Sequence, residues 1–417
     1  MKRNLLFATH VPVAKRGSAV ILTSKSKVSL DSISYAYQIN ERQFVVTRRQ
    51  VLQSMTALPF LTSCAATNQR NSKNYTPSGS PLRRVNVSED RIIRSIAGLR
   101  PYRSKGFVVR AERMNDKVII HNYGHGGGGI TLSWGTSHLA RELATQTQYK
   151  RCAILGCGAT GLSAAILMQN AGWEVSIYAK DLPPNTTSNI AGGQWSPTSV
   201  FDKNAVSPAF LTQFESAMRH AYRYYQNLVG TKYGVRWISN YMIADSSEET
   251  DSLYSTYSDM YPERSQLDSS QHPFDAAHVL HMDTMLIEPA IYLPAMMNDF
   301  QIADGRITVK EFEDINEVLQ LEEPVIINCT GLGSRILFSD NDLIPIKGQL
   351  TFLLPQDEID FIIIGNGRLY MFPRSDGILL GGTFERNNWD TTPDPEKTRQ
   401  IVNGHRTFFE AMKDPWA

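Results

Sequence analysis

Four cysteines in 417 residues, Cys64, Cys152, Cys157 and Cys329, form no CxxC pair, so neither a disulfide framework nor a zinc site is expected. Neither charge is in excess: 42 Lys and Arg stand against 41 Asp and Glu. That excludes a broad basic field for nucleic acid and an acidic tail. No apolar run reaches the length of a membrane span. His121 and His125 lie close in sequence, but no carboxylate or cysteine cluster accompanies them, which argues against a metal. What remains is an ordinary globular composition, long enough for two interlocked domains around a large core.

The first 80 residues differ from the rest. Thr47-Arg48-Arg49-Gln50-Val51-Leu52 resembles a twin-arginine export signal, and a modest apolar stretch, Met55 to Leu61, follows. Leu61-Thr62-Ser63-Cys64 resembles a lipoprotein cleavage box. The expectation is export to the periplasm or envelope, with a lipid anchor on Cys64 in prospect, and a cytoplasmic protein if the leader is unused. A chance Arg pair is the alternative. The stretch ahead of Thr47 is long for such a signal, so the start is expected downstream of Met1. From Asn68 the chain is polar and reads as a linker.

Arg151 to Leu155 reads as a buried strand. Gly156-Cys157-Gly158-Ala159-Thr160-Gly161 follows, then helical spacing over Leu162–Gln169, a stop at Gly172, and a second strand, Glu174 to Ala179. Strand, glycine turn, helix and strand is the context of dinucleotide binding. Glycines admit the pyrophosphate to the backbone, and the helix N-terminus favours its charge. Gly156, Gly158, Ala159, Thr160 and Gly161 are the candidate contacts; a purely structural tight turn is the alternative. An acidic residue normally ends the second strand, but here Lys180-Asp181 stands at the ribose end. Lys180 suits the 2′-phosphate of NADP, so this motif alone leaves NADP and FAD open.

Four further blocks carry the identification. Ile119 to Gly135 runs from a strand through His-Asn-Tyr-Gly-His and four glycines into helical spacing, and Gly98-Leu99-Arg100-Pro101-Tyr102-Arg103 precedes it. Leu182 to Pro197 joins a hydroxyl run to Ala191-Gly192-Gly193-Gln194. Pro324 to Gly333 is an apolar strand ending in Asn-Cys-Thr-Gly. Arg368 to Phe384 reads as a hairpin turning at Ser375-Asp376-Gly377. With the fingerprint, these blocks resemble the D-amino-acid oxidase family. In that family the Ile119–Gly135 block closes the chain, so the order here resembles a circular permutation.

The resemblance implies FAD. It puts Thr186, Thr187 and Ser188 at the phosphates, and Gly192, Gly193 and Gln194 along the flavin ring. Thr330 and Gly331 would lie beside the dinucleotide. Gly126, Gly127, Gly128, Gly129, Ile130 and Thr131 would meet the flavin N1–C2=O edge, where a helix N-terminus favours negative charge. It implies that Arg103 and Tyr370 hold the substrate carboxylate, with Gly127 completing the active-site set and Arg100 structural. Asn366 stands where mammalian members have a second active-site tyrosine, which leaves lid closure and substrate size open.

The expected fold is α/β: a Rossmann-type FAD-binding domain interlocked with a mixed-sheet substrate domain, as in D-amino-acid oxidase, circularly permuted. Residues 1–80 are leader and linker, and 81–150 the displaced segment. Residues 151–204 are the FAD-binding βαβ, and 283–340 the second part of that domain. The substrate domain takes 205–282, with an aromatic helix over Ser207–Val229, and 341–417 with a closing helix. The polar stretch 246–274 is a candidate lid. The expected function is FAD-dependent oxidative deamination of D-amino acids to 2-oxo acids and ammonia. Hydrogen peroxide is the further product if oxygen is the acceptor, and a quinone is equally compatible. Alternatives are an oxidase or dehydrogenase of glycine or another amine, an NADP-dependent reductase, and a non-catalytic flavin-binding envelope protein.

Overall fold

The computed structural model describes residues 82–244, 246, 252–365 and 369–413. They belong to one compact unit, Ser72–Ala417. The export motif, the Cys64 box and Asn366 lie outside the described residues.

One sheet is built from β2 (Val108–Met114), β3 (Lys117–Tyr123), β4 (Arg151–Leu155), β5 (Glu174–Ala179), β9 (Arg306–Val309) and β10 (Val325–Asn328). Its spatial order is β2-β3-β10-β4-β5-β9, parallel except for β2. The apolar run of β4 has no polar alternation because both faces are covered. Cys152 and Ile154 pack toward the helices, while Ala153 and Leu155 pack toward Val318 and Phe312 on the other face. Helices α1 (Gly129–Thr145) and α2 (Ala159–Asn170) bury that first face together with α3 (Pro208–Gln226) and α4 (Pro289–Ile302). Phe214, Met218 and Tyr225 of α3 are buried, as their helical spacing requires.

The second sheet holds β1 (Ile92–Tyr102), β6 (Val235–Ala244), β7 (Ser265–Leu267), β8 (His278–Ile287), β11 (Ile344–Leu353), β12 (Phe361–Ile364), β13 (Tyr370–Arg374) and β14 (Gly377–Gly381). Its order is β1-β11-β14-β13-β12-β6-β8-β7, and β15 (Glu385–Arg386) pairs with β11. It is mixed: β12 runs parallel to β6, while the other pairs are antiparallel. Its back face packs on the closing helix α5 (Pro395–Glu410) through Ile401, Val402 and Phe409. Its front face, with Ile238, Leu350, Phe352 and Phe372, looks toward the first sheet.

β1 has eleven residues and pairs along β11. Two expectations shift. The boundary drawn between residues 282 and 283 falls inside β8, which stays in the second sheet through Ile287. The candidate lid is anchored in the core at a few described positions, while 262–266 and 268–270 are exposed. Tyr254, Met260 and Tyr261 are buried, and the aromatic contacts of Tyr261 with Trp195 and Tyr254 tie the segment down.

Candidate active site

A cleft of about 2310 Å³ separates the two sheets, well above the roughly 300–1,000 Å³ of a small-ligand pocket. Its length is lined from both sides: by Gly156, Gly158, Thr160 and Gly161 at one part, and by Arg100, Tyr370 and Phe372 at another.

The fingerprint turn is built by contact. Gly156 has φ +106°, which only glycine adopts readily. A Cβ on Gly161 would stand 2.0 Å from the Gly156 carbonyl oxygen, so α2 packs this close to the strand only without one. The Ala159 N–H donates to Ser188 Oγ (3.0 Å), which joins the turn to the hydroxyl run. Thr186, Thr187, Ser188, Gly192, Gly193 and Gln194 all line the cleft. The Gly192–Gly193 pair is required by protein contacts first. Added Cβ atoms would meet Phe372 at 2.3 Å and the Ile287 carbonyl oxygen at 2.1 Å.

Asn328 holds the third block. Its side-chain oxygen accepts from the Thr330 N–H (3.1 Å) and hydroxyl (2.8 Å), and its amide donates to Ser334 Oγ (3.0 Å). Asn328 Nδ2 also lies 3.1 Å from His121 Nδ1, and His121 Nε2 lies 2.8 Å from Glu112. His121 is therefore a buried member of this polar network. His125 is fully enclosed beside Thr136, and burial pushes its imidazole down to about 3, so it is neutral. No cluster of three or more metal-ligating side chains occurs among the described residues.

Gly126, Gly127, Gly129, Ile130, Thr330, Gly331, Lys180 and Asp181 line the cleft as well. Lys180 is paired with Glu311 (3.3 Å), both side chains exposed. Three expected contacts do not line it. Ala159 is buried behind the turn; Gly128 faces Val200; and Thr131 is a staple, its hydroxyl donating to the Ser196 carbonyl and accepting from the Ser196 N–H (3.1 Å each).

The structure separates the two arginines. Arg103 follows the end of β1, and its Nε lies 2.8 Å from Asp340 Oδ2, which also accepts from the Tyr123 hydroxyl (2.8 Å). Arg103 does not line the cleft. Arg100 does. Its Nη2 lies 3.4 Å from the Tyr370 hydroxyl oxygen, and its buried Nη1 has no partner. Both side chains rest on glycines: a Cβ on Gly348 would stand 2.3 Å from Arg100 Nη1, and one on Gly381 would stand 2.0 Å from Tyr370 Cζ. Period two along β1 was the available signal. Ile96 packs on the front-face cluster to which Ile190 also belongs, and a Cβ on Gly98 would stand 2.7 Å from Ile190, so Arg100 faces with them. Met242, Ile364, Leu369 and Phe372, also on the lining, were not singled out from the sequence.

The lining suits a dinucleotide. α1 and α2 both begin at the cleft with no side-chain bond from their N-cap residues, and at α2 the Ala159 N–H is taken by Ser188 Oγ. The buried Gln194 Nε2, also on the lining, has no protein partner.

Known proteins agree. A D-amino acid oxidase of Dugesia ryukyuensis is 28% identical over 272 residues, covering 63% of this chain and 78% of that protein. Human D-aspartate oxidase is 26% identical over 263 residues, covering 61% and 74%. The crystal structure of glycine oxidase from Geobacillus kaustophilus superposes with a TM-score of 0.50 at 16% identity, over 63% of this chain and 80% of that one, and shares the fold. The family described as FAD dependent oxidoreductase (DAO) matches residues 151–416, more than half of the chain. The chain therefore belongs to the DAO family of FAD-dependent oxidoreductases, with FAD as its cofactor.

Proposed function

We propose that this protein oxidises D-amino acids with neutral side chains to 2-oxo acids and ammonia. The observation that carries this is the Arg100–Tyr370 pair: a guanidinium with an unpartnered buried nitrogen beside a phenol, on the wall of the FAD cleft. A planar guanidinium grips a carboxylate by two parallel bonds, and the Tyr370 hydroxyl donates a third. Met242, Ile364, Leu369 and Phe372 line the cleft around Tyr370, which favours an apolar substituent over a second carboxylate.

When bound, FAD supplies the acceptor for the hydride that leaves Cα. The substrate also loses an amine proton, and the imino acid adds water to release ammonia. What the chain supplies is orientation and electrostatics. Arg100 and Tyr370 fix the carboxylate, and α1 turns its uncapped N-terminus toward the cleft, while the Gly127 N–H is held by the Ser199 carbonyl and keeps the glycine run in place. Gly156, Gly158, Thr160, Ser188 and Gly331 would hold the dinucleotide.

Circular permutation is part of the proposal. In its support, the family match begins at residue 151, yet β1 to α1 furnish strands to both sheets and part of the cleft wall. Residues 146–150 alone join α1 to β4, the short connection that neighbouring ancestral termini require. Export by the route read from residues 47–64 is also proposed, and the mass of the mature N-terminus tests it.

The deciding experiment is the anaerobic visible spectrum with D-alanine, L-alanine and D-aspartate. Bleaching by D-alanine alone is expected. A flavin that stays oxidised with every D-amino acid refutes the reading.

A further inference from the structure

His405 is buried on α5, directly behind the strand that carries Tyr370. Its Nε2 lies 3.1 Å from the Tyr370 carbonyl oxygen, and its Nδ1 lies 2.8 Å from the carbonyl oxygen of Ile401, one turn back. Both ring nitrogens thus face acceptors. Within an α-helix the Ile401 carbonyl already has the N–H of residue 405 as its partner. The Tyr370 carbonyl stands at the very start of β13, where the ladder ends. Gly404 lets the helix come close to the same point, since a Cβ there would stand 3.2 Å from Leu369 Cδ1. Leu369 lines the main cleft and also a second cavity of about 200 Å³ on the helix side. The start of β13 is therefore a thin partition: substrate cleft in front, His405 behind.

We propose that His405 is a positioning residue for Tyr370. Its Nε2–H donates to the Tyr370 carbonyl and so fixes the height of the phenol beside Arg100. The ring itself never touches substrate. This rests on the reading of Arg100 and Tyr370 as the carboxylate site. It differs from a merely structural histidine, whose loss would loosen α5 without singling out substrate binding.

The test is a double-mutant cycle in the full-length FAD enzyme, with D-alanine kinetics and flavin absorbance per chain as readouts. His405→Leu is expected to raise KM about fivefold, the worth of one net hydrogen bond, with kcat changed by less than about twofold and flavin content kept. His405→Gln, which retains an N–H donor, brings KM back toward the parent value. In a Tyr370→Phe background, His405→Leu adds nothing further. An equal KM increase in both backgrounds overturns the proposal. So does a His405→Gln variant as impaired as His405→Leu, or a loss of thermal stability with KM unchanged. If Tyr370→Phe alone leaves KM unchanged, the carboxylate reading fails instead. The imidazole ¹⁵N resonances then decide the His405 tie separately: a bare Nε2 at neutral pH refutes it.

Discussion

Arg100 and Arg103 are three residues apart, carry the same charge, and should respond oppositely to truncation. Arg100 has no acidic partner among the described residues, its Nη1 is buried, and its nearest polar neighbour is the Tyr370 hydroxyl. A bound carboxylate would be its counter-ion. Removing one side of a desolvated, hydrogen-bonded charge pair costs about 2–5 kcal/mol. At about 1.4 kcal/mol per decade, Arg100→Ala should lower kcat/KM for D-alanine roughly thirty- to several-thousandfold. Arg103 is spent on Asp340, with side-chain exposures of 13% and 11%. Arg103→Ala should cost about 1–3 kcal/mol of stability, because Asp340 keeps the Tyr123 hydroxyl but loses its cation. Its kcat/KM should stay close to the parent. The assay is oxygen uptake or anaerobic flavin bleaching against D-alanine, with thermal melts of the same preparations. An Arg103→Ala enzyme that melts normally and has lost turnover, beside an active Arg100→Ala enzyme, refutes the reasoning.

Three other outcomes are expected. Gly161→Ala puts a methyl 2.0 Å from the Gly156 carbonyl oxygen and should give a protein without visible flavin absorbance; normal flavin content would show that the turn yields. Thr131→Val leaves the Ser196 N–H and carbonyl without their staple. It should cost about 1–3 kcal/mol and weaken flavin retention on dilution, and an unchanged melt counts against it. His220 stacks on His138 with ring centroids 3.8 Å apart, and burial, then the neighbouring His138, Arg141 and Arg223, lower its pKa from 6.5 to about 4. The fold holds it neutral, so this contribution is complete above pH 6.5 and is lost as pH falls toward 4. His220→Phe keeps a stacked ring without the titration, so it should raise the melting temperature at pH 5 more than at pH 8; equal shifts would remove the histidine from the acid response.

The nucleotide side was legible because local rules agree there. The run Arg151–Leu155, the glycine spacing and the stop at Gly172 each point to the same strand, turn and helix. The Ser375–Gly377 turn was legible for the same reason. Which of Arg100 and Arg103 reaches the cleft was not legible because the choice between two arginines is a matter of facing. Facing depends on where β1 starts, and its first residues, Ile92-Ile93-Arg94-Ser95, mix polar and apolar types on a strand with both faces half covered. His405 was not singled out because its partner, a main-chain carbonyl 35 residues away, has no sequence signature. The Gly192–Gly193 pair was assigned by sequence to the flavin, while the contacts that exclude side chains there come from Phe372 and Ile287.

β10 sits between β3 and β4, although it follows them by about two hundred residues. A growing chain therefore makes the whole fingerprint, the glycine run and both uncapped helices long before the strand that joins them exists. Until Val325–Asn328 is added, β2–β3 and β4–β5 are two separate half-sheets, and the Thr330–Gly333 wall is missing. Such long-range pairing is slow to form and comes late in folding. Cofactor capture is thus tied to the end of synthesis rather than to the fingerprint. A fragment stopping before Val325 would carry every glycine of the motif and still hold no flavin.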